Sequence, residues 1–451
     1  MQYVANTDLS ELLDAQPVGR FHLKLLAVCF VALLFDGFDT QAIGYVGPAI
    51  AKAWSLPNGA LGPVFGAGLT GLMIGALGFG PLADRFGRKA IIATTMLVFG
   101  VCTLATARAD SLHELMVWRF LAGLGLGGAM PNAIALMAEF APRRRRATLN
   151  TILVCGFSIG AAVGGFLAER LIPASGWRSV LYVGGAGPLL LLPLIVLTLP
   201  ESVRFLASRG APREKIATVL ARLDPRLGSL EALKWDVPRE AITFPVKHLF
   251  MDGRAMATTL IWLSIMMNLI VLYFFASWLP TMLVSAGLPS STAVRATAYF
   301  QVGGTVGALV IGWLVDHISP TRVLGGAFLC AAVSIAITAS GGVNVGVVLP
   351  AVFFAGFCIV GGQLGANAFV GGFYPTRMRA TGVGWALGVG RVGSVIGPVV
   401  AGCFLAWGWQ PDAVFHSAVV PAVLAGIAMV AVGQSVRKHE TEPAPAKTEA
   451  R

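Results

Sequence analysis

Pro142-Arg143-Arg144-Arg145-Arg146-Ala147-Thr148 returns 233 residues later as Pro375-Thr376-Arg377-Met378-Arg379-Ala380-Thr381. The same offset pairs Ala122-Gly123 with Ala355-Gly356, and Gly160 and Gly164 with Gly393 and Gly397. One residue off that register, Gly80-Pro81-Leu82-Ala83-Asp84 is echoed by Gly312-Trp313-Leu314-Val315-Asp316. The chain is therefore written as two similar halves.

What kind of halves is set by composition. Of 451 residues, 56% are hydrophobic and only 12% charged. A soluble domain carries roughly 25% charged residues to hydrate its surface, so most of this surface faces lipid. A spanning helix takes about 20 apolar residues, and apolar windows of that length fall near 22–50, 59–83, 90–108, 113–140, 147–172 and 177–199. Six more fall near 255–284, 292–317, 322–340, 345–373, 380–409 and 413–435. The expected class is an all-α integral membrane protein: a six-helix bundle over 1–199, a central loop over 200–254, a second bundle over 255–436 and a tail over 437–451. The 55 glycines suit close helix contact. The start is polar and acidic at Asp8, Glu11 and Asp14 and the first apolar run is full length, so a retained helix rather than a signal peptide is expected.

The net charge of +11 could suggest nucleic acid, but its distribution excludes that reading. Of the 33 Lys and Arg, 26 lie on the side that holds both termini and the central loop. Lys52, Arg108, Arg170, Arg178 and Arg295 lie on the other, and Arg119 and Arg391 lie within spans. The positive-inside rule makes the termini cytoplasmic. Repeated six-helix halves in a membrane protein imply a transporter that rocks two bundles about a central site. Six scattered cysteines without CxxC imply no disulfide framework or zinc site. The glycines at 123, 125, 127 and 128 have no preceding strand and read as helix packing, not a dinucleotide loop. No Walker lysine loop and no HExxH is present, so neither ATP-driven transport nor zinc hydrolysis is expected.

Motifs across nearly the whole chain resemble the major facilitator superfamily. They are Gly80-Pro-Leu-Ala-Asp84-Arg85-Phe-Gly87-Arg88-Lys89, Arg119-x-x-x-Gly123-x-Gly125-x-Gly127 and Pro200-Glu201-Ser202. Asp36-Gly37-Phe38-Asp39 in the first helix resembles the aromatic acid:proton symporters within it, such as the 4-hydroxybenzoate and protocatechuate transporters. The resemblance implies a proton-coupled importer of a small aromatic carboxylate, working as a monomer by alternating access in a bacterial inner membrane, with no cofactor beyond the proton. It implies that Arg119 and Glu139 are both required, Glu139 being grouped with the proton-coupling acids. It also makes Asp84, Arg85, Arg88 and Arg379 conformational residues, joined by Asp316 in the degenerate second-half copy. Another organic anion, or export on the same fold, is the alternative; a sensor or enzyme would need a further domain or catalytic cluster.

The residues give their own reasons. Asp36 and Asp39 stand three apart on one side of a helix, where an ionised carboxylate costs about 2.5 to 3.5 kcal/mol. Desolvation and mutual repulsion both favour protonating one of them, unless an ion pair holds the helix instead. Arg391 sits among Gly388, Gly390 and Gly393, which would leave space beside it, and its forked donors match a substrate carboxylate. Arg119 either binds substrate or is the counter-ion of Asp36 or Asp39. A substrate ring needs flat walls and its hydroxyl a polar partner. The candidates are Phe35, Phe38, Asn268, Tyr273, Trp278, Gln301, Gln363 and Asn367.

Overall fold

The computed structural model describes residues 13–14, 16–223, 246–251, 253–375 and 378–441. Asp8 and Glu11, most of the latter half of the central loop, Thr376, Arg377 and the end of the tail lie outside the described residues. Those described form helices and no strand. Twelve spans are long and apolar enough to cross a membrane. They are α1 (Arg20–Ala53), α2 (Gly62–Phe86), α3 (Arg88–Thr106), α4 (Leu112–Phe140), α5 (Arg146–Ser175) and α6 (Arg178–Thr198). After two short helices, Val203–Ser208 and Arg213–Leu223, come α7 (Ala255–Ser285), α8 (Ser290–His317), α9 (Pro320–Ser340), α10 (Val345–Phe373) and α11 (Arg379–Ala406); the twelfth span, Pro411–Ser435, is made by the short helix Pro411–Ser417 and the start of α12 (Val419–Thr441).

Helix ends follow local chemistry. At α4 the Ser111 hydroxyl accepts from the Glu114 amide at 3.2 Å, satisfying one free N–H of the first turn, while the Glu114 carboxylate accepts from the Asp110 amide, just before the cap, at 3.1 Å. α2 stops at Gly87, whose φ of +96° is open to glycine and costly for other residues. The twelfth span, Pro411–Ser435, falls near the expected 413–435 but is interrupted at Ala418, between the short helix Pro411–Ser417 and α12. Pro421 has no N–H to give the Ser417 carbonyl, so the ladder breaks there.

The chain divides into two compact units: Met1–Ala241 with Ala276–Ala298 and Gly402–Trp407, and Ile242–Phe275 with Tyr299–Ala401 and Gly408–Arg451. In the first, α2 packs along α4, α3 along α4 and α6, and α1 along α5. In the second, α9 packs on α10 and α12.

The repeat is visible in which backbones touch. A Cβ on Gly71 or Gly75 of α2 would strike the carbonyls of Phe120 and Leu124 on α4; one on Gly303 or Gly307 of α8 would strike those of Phe353 and Phe357 on α10. Gly160 of α5 abuts the Leu34 carbonyl of α1, and its repeat Gly393 of α11 abuts the Met266 carbonyl of α7. The glycine series of α4 is a two-sided packing seam. Gly123 and Gly127, one turn apart, face Gly68 and Leu72 of α2, whereas Gly125, rotated about 200° from Gly123, meets Phe99 of α3.

Candidate functional site

Inside the first unit the polar centre lies between α1, α3 and α4. Arg119 Nη1 is 3.1 Å from Asp39 Oδ2 and 3.4 Å from Oδ1, and Nη2 donates to the Asp39 carbonyl at 3.2 Å. Thr103 of α3 donates to Asp39 Oδ1 at 2.9 Å. The side chains are 3% and 0% exposed, so this ion pair is shielded from solvent and each partner offsets the other's desolvation. Arg119 Nε and the nearby-in-sequence Gln41 Oε1 of α1 are buried without a hydrogen-bond partner among the described residues. Asp36, 2% exposed, accepts from the Thr40 hydroxyl at 3.4 Å. Of the two readings left open for Arg119, the geometry shows the counter-ion of Asp39.

Glu139 sits elsewhere, at the last turn of α4. It accepts from Arg88 Nη1 at 3.0 Å, from the Ser202 hydroxyl at 2.6 Å and from the Arg204 amide at 2.9 Å. Arg88 also donates to the Ala135 carbonyl at 2.8 Å. Glu201 accepts from the amides of Lys89 at 3.2 Å and Ser202 at 2.9 Å, placing a carboxylate at the N-terminal, partially positive end of α3. Two sequence motifs far apart in the chain, at 80–89 and 200–202, thus close on each other and on Glu139 at one end of this unit. Arg209 donates to the Arg85 carbonyl at 2.7 Å; Asp84 and Arg85 are exposed. Arg146 pairs with Asp14.

The polar cluster of the second unit holds no acid among the described residues. Arg391 of α11 donates to the Tyr273 hydroxyl at 3.2 Å, and no carboxylate pairs with it among the described residues. Asn268 Nδ2 donates to Gln363 Oε1 at 2.9 Å and to the Ile359 carbonyl at 3.1 Å, and Gln363 Nε2 donates to Asn367 Oδ1 at 2.9 Å. This amide chain ties α7 to α10. Gln301 is 2% exposed on α8.

Other sequence candidates are placed apart from these groups. The Phe35 ring lies on Gly187, and the Phe38 ring on Gly164 and Gly184, so both fill the contact of α1 with α5 and α6. Trp278 meets Phe65 edge to face at 5.1 Å within the first unit. Asp316 and Arg379 are exposed. The space expected around Arg391 is narrower than the three glycines suggested: Gly390 is packed on Ile265 and Leu269 and Gly393 on Met266, and only Gly388 faces open space. Sequence reasoning missed Thr103 altogether and, though Ser202 stood in the Pro200-Glu201-Ser202 motif, missed its partner; both hydroxyls are buried, at 0% and 1% exposure, and no spacing names what they bond.

Twelve apolar spans in two repeated halves, with ionic and amide clusters inside them, define a multi-pass membrane transporter. The Major Facilitator Superfamily matches residues 29–386 and 295–451, and the chain belongs to it. It is 40% identical over 431 residues to the gallate transporter of Pseudomonas putida, covering 96% of each chain. To the 4-hydroxybenzoate transporter PcaK of the same organism it is 39% identical over 430 residues, 94% of this chain and 96% of that one. In fold it is similar to a bacterial homologue of the human lysosomal transporter Spinster in an inward-facing, occupied conformation. The TM-score is 0.74 at 16% identity, over 95% of this chain and 100% of that one. The chain is a transporter and not an enzyme.

Proposed function

We propose that this transporter carries a small aromatic carboxylate into the cell together with protons, by alternating access, across a bacterial inner membrane with both termini cytoplasmic. The observation that carries the reading is the contrast between its two intramembrane arginines. Arg119 is neutralised by Asp39 at 3.1 Å, whereas Arg391 has a phenol hydroxyl at 3.2 Å and no acid partner among the described residues. An unneutralised guanidinium in a span is costly, and a substrate carboxylate is the anion that relieves it. The relatives named for gallate and 4-hydroxybenzoate point to a benzoate-type substrate. The amide chain of Asn268, Gln363 and Asn367 offers both donors and acceptors to ring hydroxyls.

Asp39 is the proposed proton carrier. A proton on its carboxylate cancels the charge that holds Arg119, so occupancy of Asp39 and the α1–α4 bond are coupled. A monoanion moving with one proton is electroneutral; with two it gains about 2.3 kcal/mol per 100 mV of membrane potential. Uptake of labelled 4-hydroxybenzoate into proteoliposomes, acidic outside and neutral inside, is the test. Protein-dependent accumulation abolished by a protonophore is expected. Folded protein giving no uptake would move the assignment to another organic anion or to export.

A further inference from the structure

At one end of the first unit a cleft of about 360 Å³ opens between the start of α1, the end of α6 and the helix Arg213–Leu223. It takes no part in the ion pairs described above. Three cations line it: Arg20 and Lys24, one turn apart on α1, and Arg222. All three are exposed, and no acid pairs with any of them among the described residues. Its floor is apolar, with Leu25, Leu199 and Pro200 buried.

Arg222 is held there by the helix that carries it. Ile216 and Leu220, at 2% and 0% exposure, pack that helix into the core of the unit and leave Arg222 outward. Three like charges gathered over an apolar floor repel one another unless an anion joins them. The position says which anion: the cleft lies where one membrane span begins and another ends, on the face rich in basic loops, where lipid headgroups meet a spanning protein. On α6, whose last turn lines the cleft, Leu190, Leu194 and Leu197 are 79%, 46% and 75% exposed and share one face, an apolar strip fit for acyl chains.

We propose that this cleft seats the headgroup of an anionic phospholipid, its phosphate among Arg20, Lys24 and Arg222 and its chains along α6. The test is native mass spectrometry of the purified full chain, titrated with phosphatidylglycerol, with phosphatidylethanolamine or with inorganic phosphate. Each charge removed is expected to weaken phosphatidylglycerol binding by about fivefold, so Arg20→Gln/Lys24→Gln/Arg222→Gln should lose roughly a hundredfold. A charge-matched control, Arg143→Gln/Arg144→Gln/Arg145→Gln, should keep the parent affinity, and phosphatidylethanolamine should not distinguish the proteins. Equal binding by parent and cleft variant, or equal loss in the control, would overturn the site. Inorganic phosphate displacing the lipid would overturn the lipid in favour of a free anion. Should the triple variant not fold, the three single variants carry the same comparison.

Discussion

Arg119 and Asp39 are bound through two side-chain nitrogens, one reaching the carboxylate at 3.1 Å and the other the Asp39 carbonyl at 3.2 Å. The second bond survives loss of the charge on Asp39, so protonation would loosen α1 from α4 without detaching it. Asp39→Asn should therefore abolish accumulation against a gradient while leaving measurable substrate binding. It also strands a buried guanidinium, at about 3 to 5 kcal/mol of stability. Asp39→Asn/Arg119→Gln should recover much of that stability but none of the accumulation. Full accumulation by the single variant would remove Asp39 from proton coupling.

Arg391→Ala should weaken binding of an aromatic carboxylate by about 2 to 5 kcal/mol, the loss seen when one partner of a buried charge pair is deleted. Tyr273→Phe removes only a neutral acceptor that positions the guanidinium and leaves its charge in place, so its loss should be smaller. Binding measured by calorimetry in detergent should rank the parent above Tyr273→Phe, and Tyr273→Phe above Arg391→Ala. Unchanged affinity in Arg391→Ala would leave that arginine structural.

Glu139 and Arg88 meet 3.0 Å apart at the end of α4, with Ser202 2.6 Å from the same carboxylate oxygen as Arg88. Glu139→Gln keeps the shape and weakens charge-assisted bonds, so a loss of about 1.5 to 3 kcal/mol in stability is expected. Because the group closes α3, α4 and the segment after α6 on one another, the transport rate should fall while the proton-to-substrate ratio stays that of the parent. A changed ratio, read from the reversal potential of proteoliposomes, would return Glu139 to the proton path.

Much of the fold was legible because hydropathy over about 20 residues depends only on the order of the chain. The spans begin and end within a few residues of the expected positions; the break before α12 was missed because Pro421 acts four residues back, below the scale of such a window. The site was less legible. Arg88, Glu139 and Ser202 are separated by 51 and 63 residues, and no spacing rule joins them. Helix rotation hid more: Phe35 and Phe38 read as ring walls yet turn onto glycines of α5 and α6. The repeat carries further information of this kind. Leu34 and Met266 take the same place against Gly160 and Gly393, so Asp36 is matched by Asn268 two residues on. A titratable group in one half stands where the other has an amide.

Gly388 and Gly393 separate binding space from packing on a single helix. Nothing lies within 4 Å of where a Gly388 side chain would begin, one turn before Arg391 on the same face. At Gly393 a Cβ would run into the Met266 carbonyl of α7. Gly393→Ala should therefore destabilise by about 1 to 3 kcal/mol through overpacking, whereas Gly388→Ala should be neutral or stabilise by about 0.5 to 1 kcal/mol through helix propensity. Gly388→Leu separates the two demands further. It should melt within a degree or two of the parent yet bind aromatic carboxylate at least about tenfold more weakly, because it fills the space where a ring paired to Arg391 would lie. If Gly388→Leu binds as tightly as the parent, the ring lies on another side of Arg391.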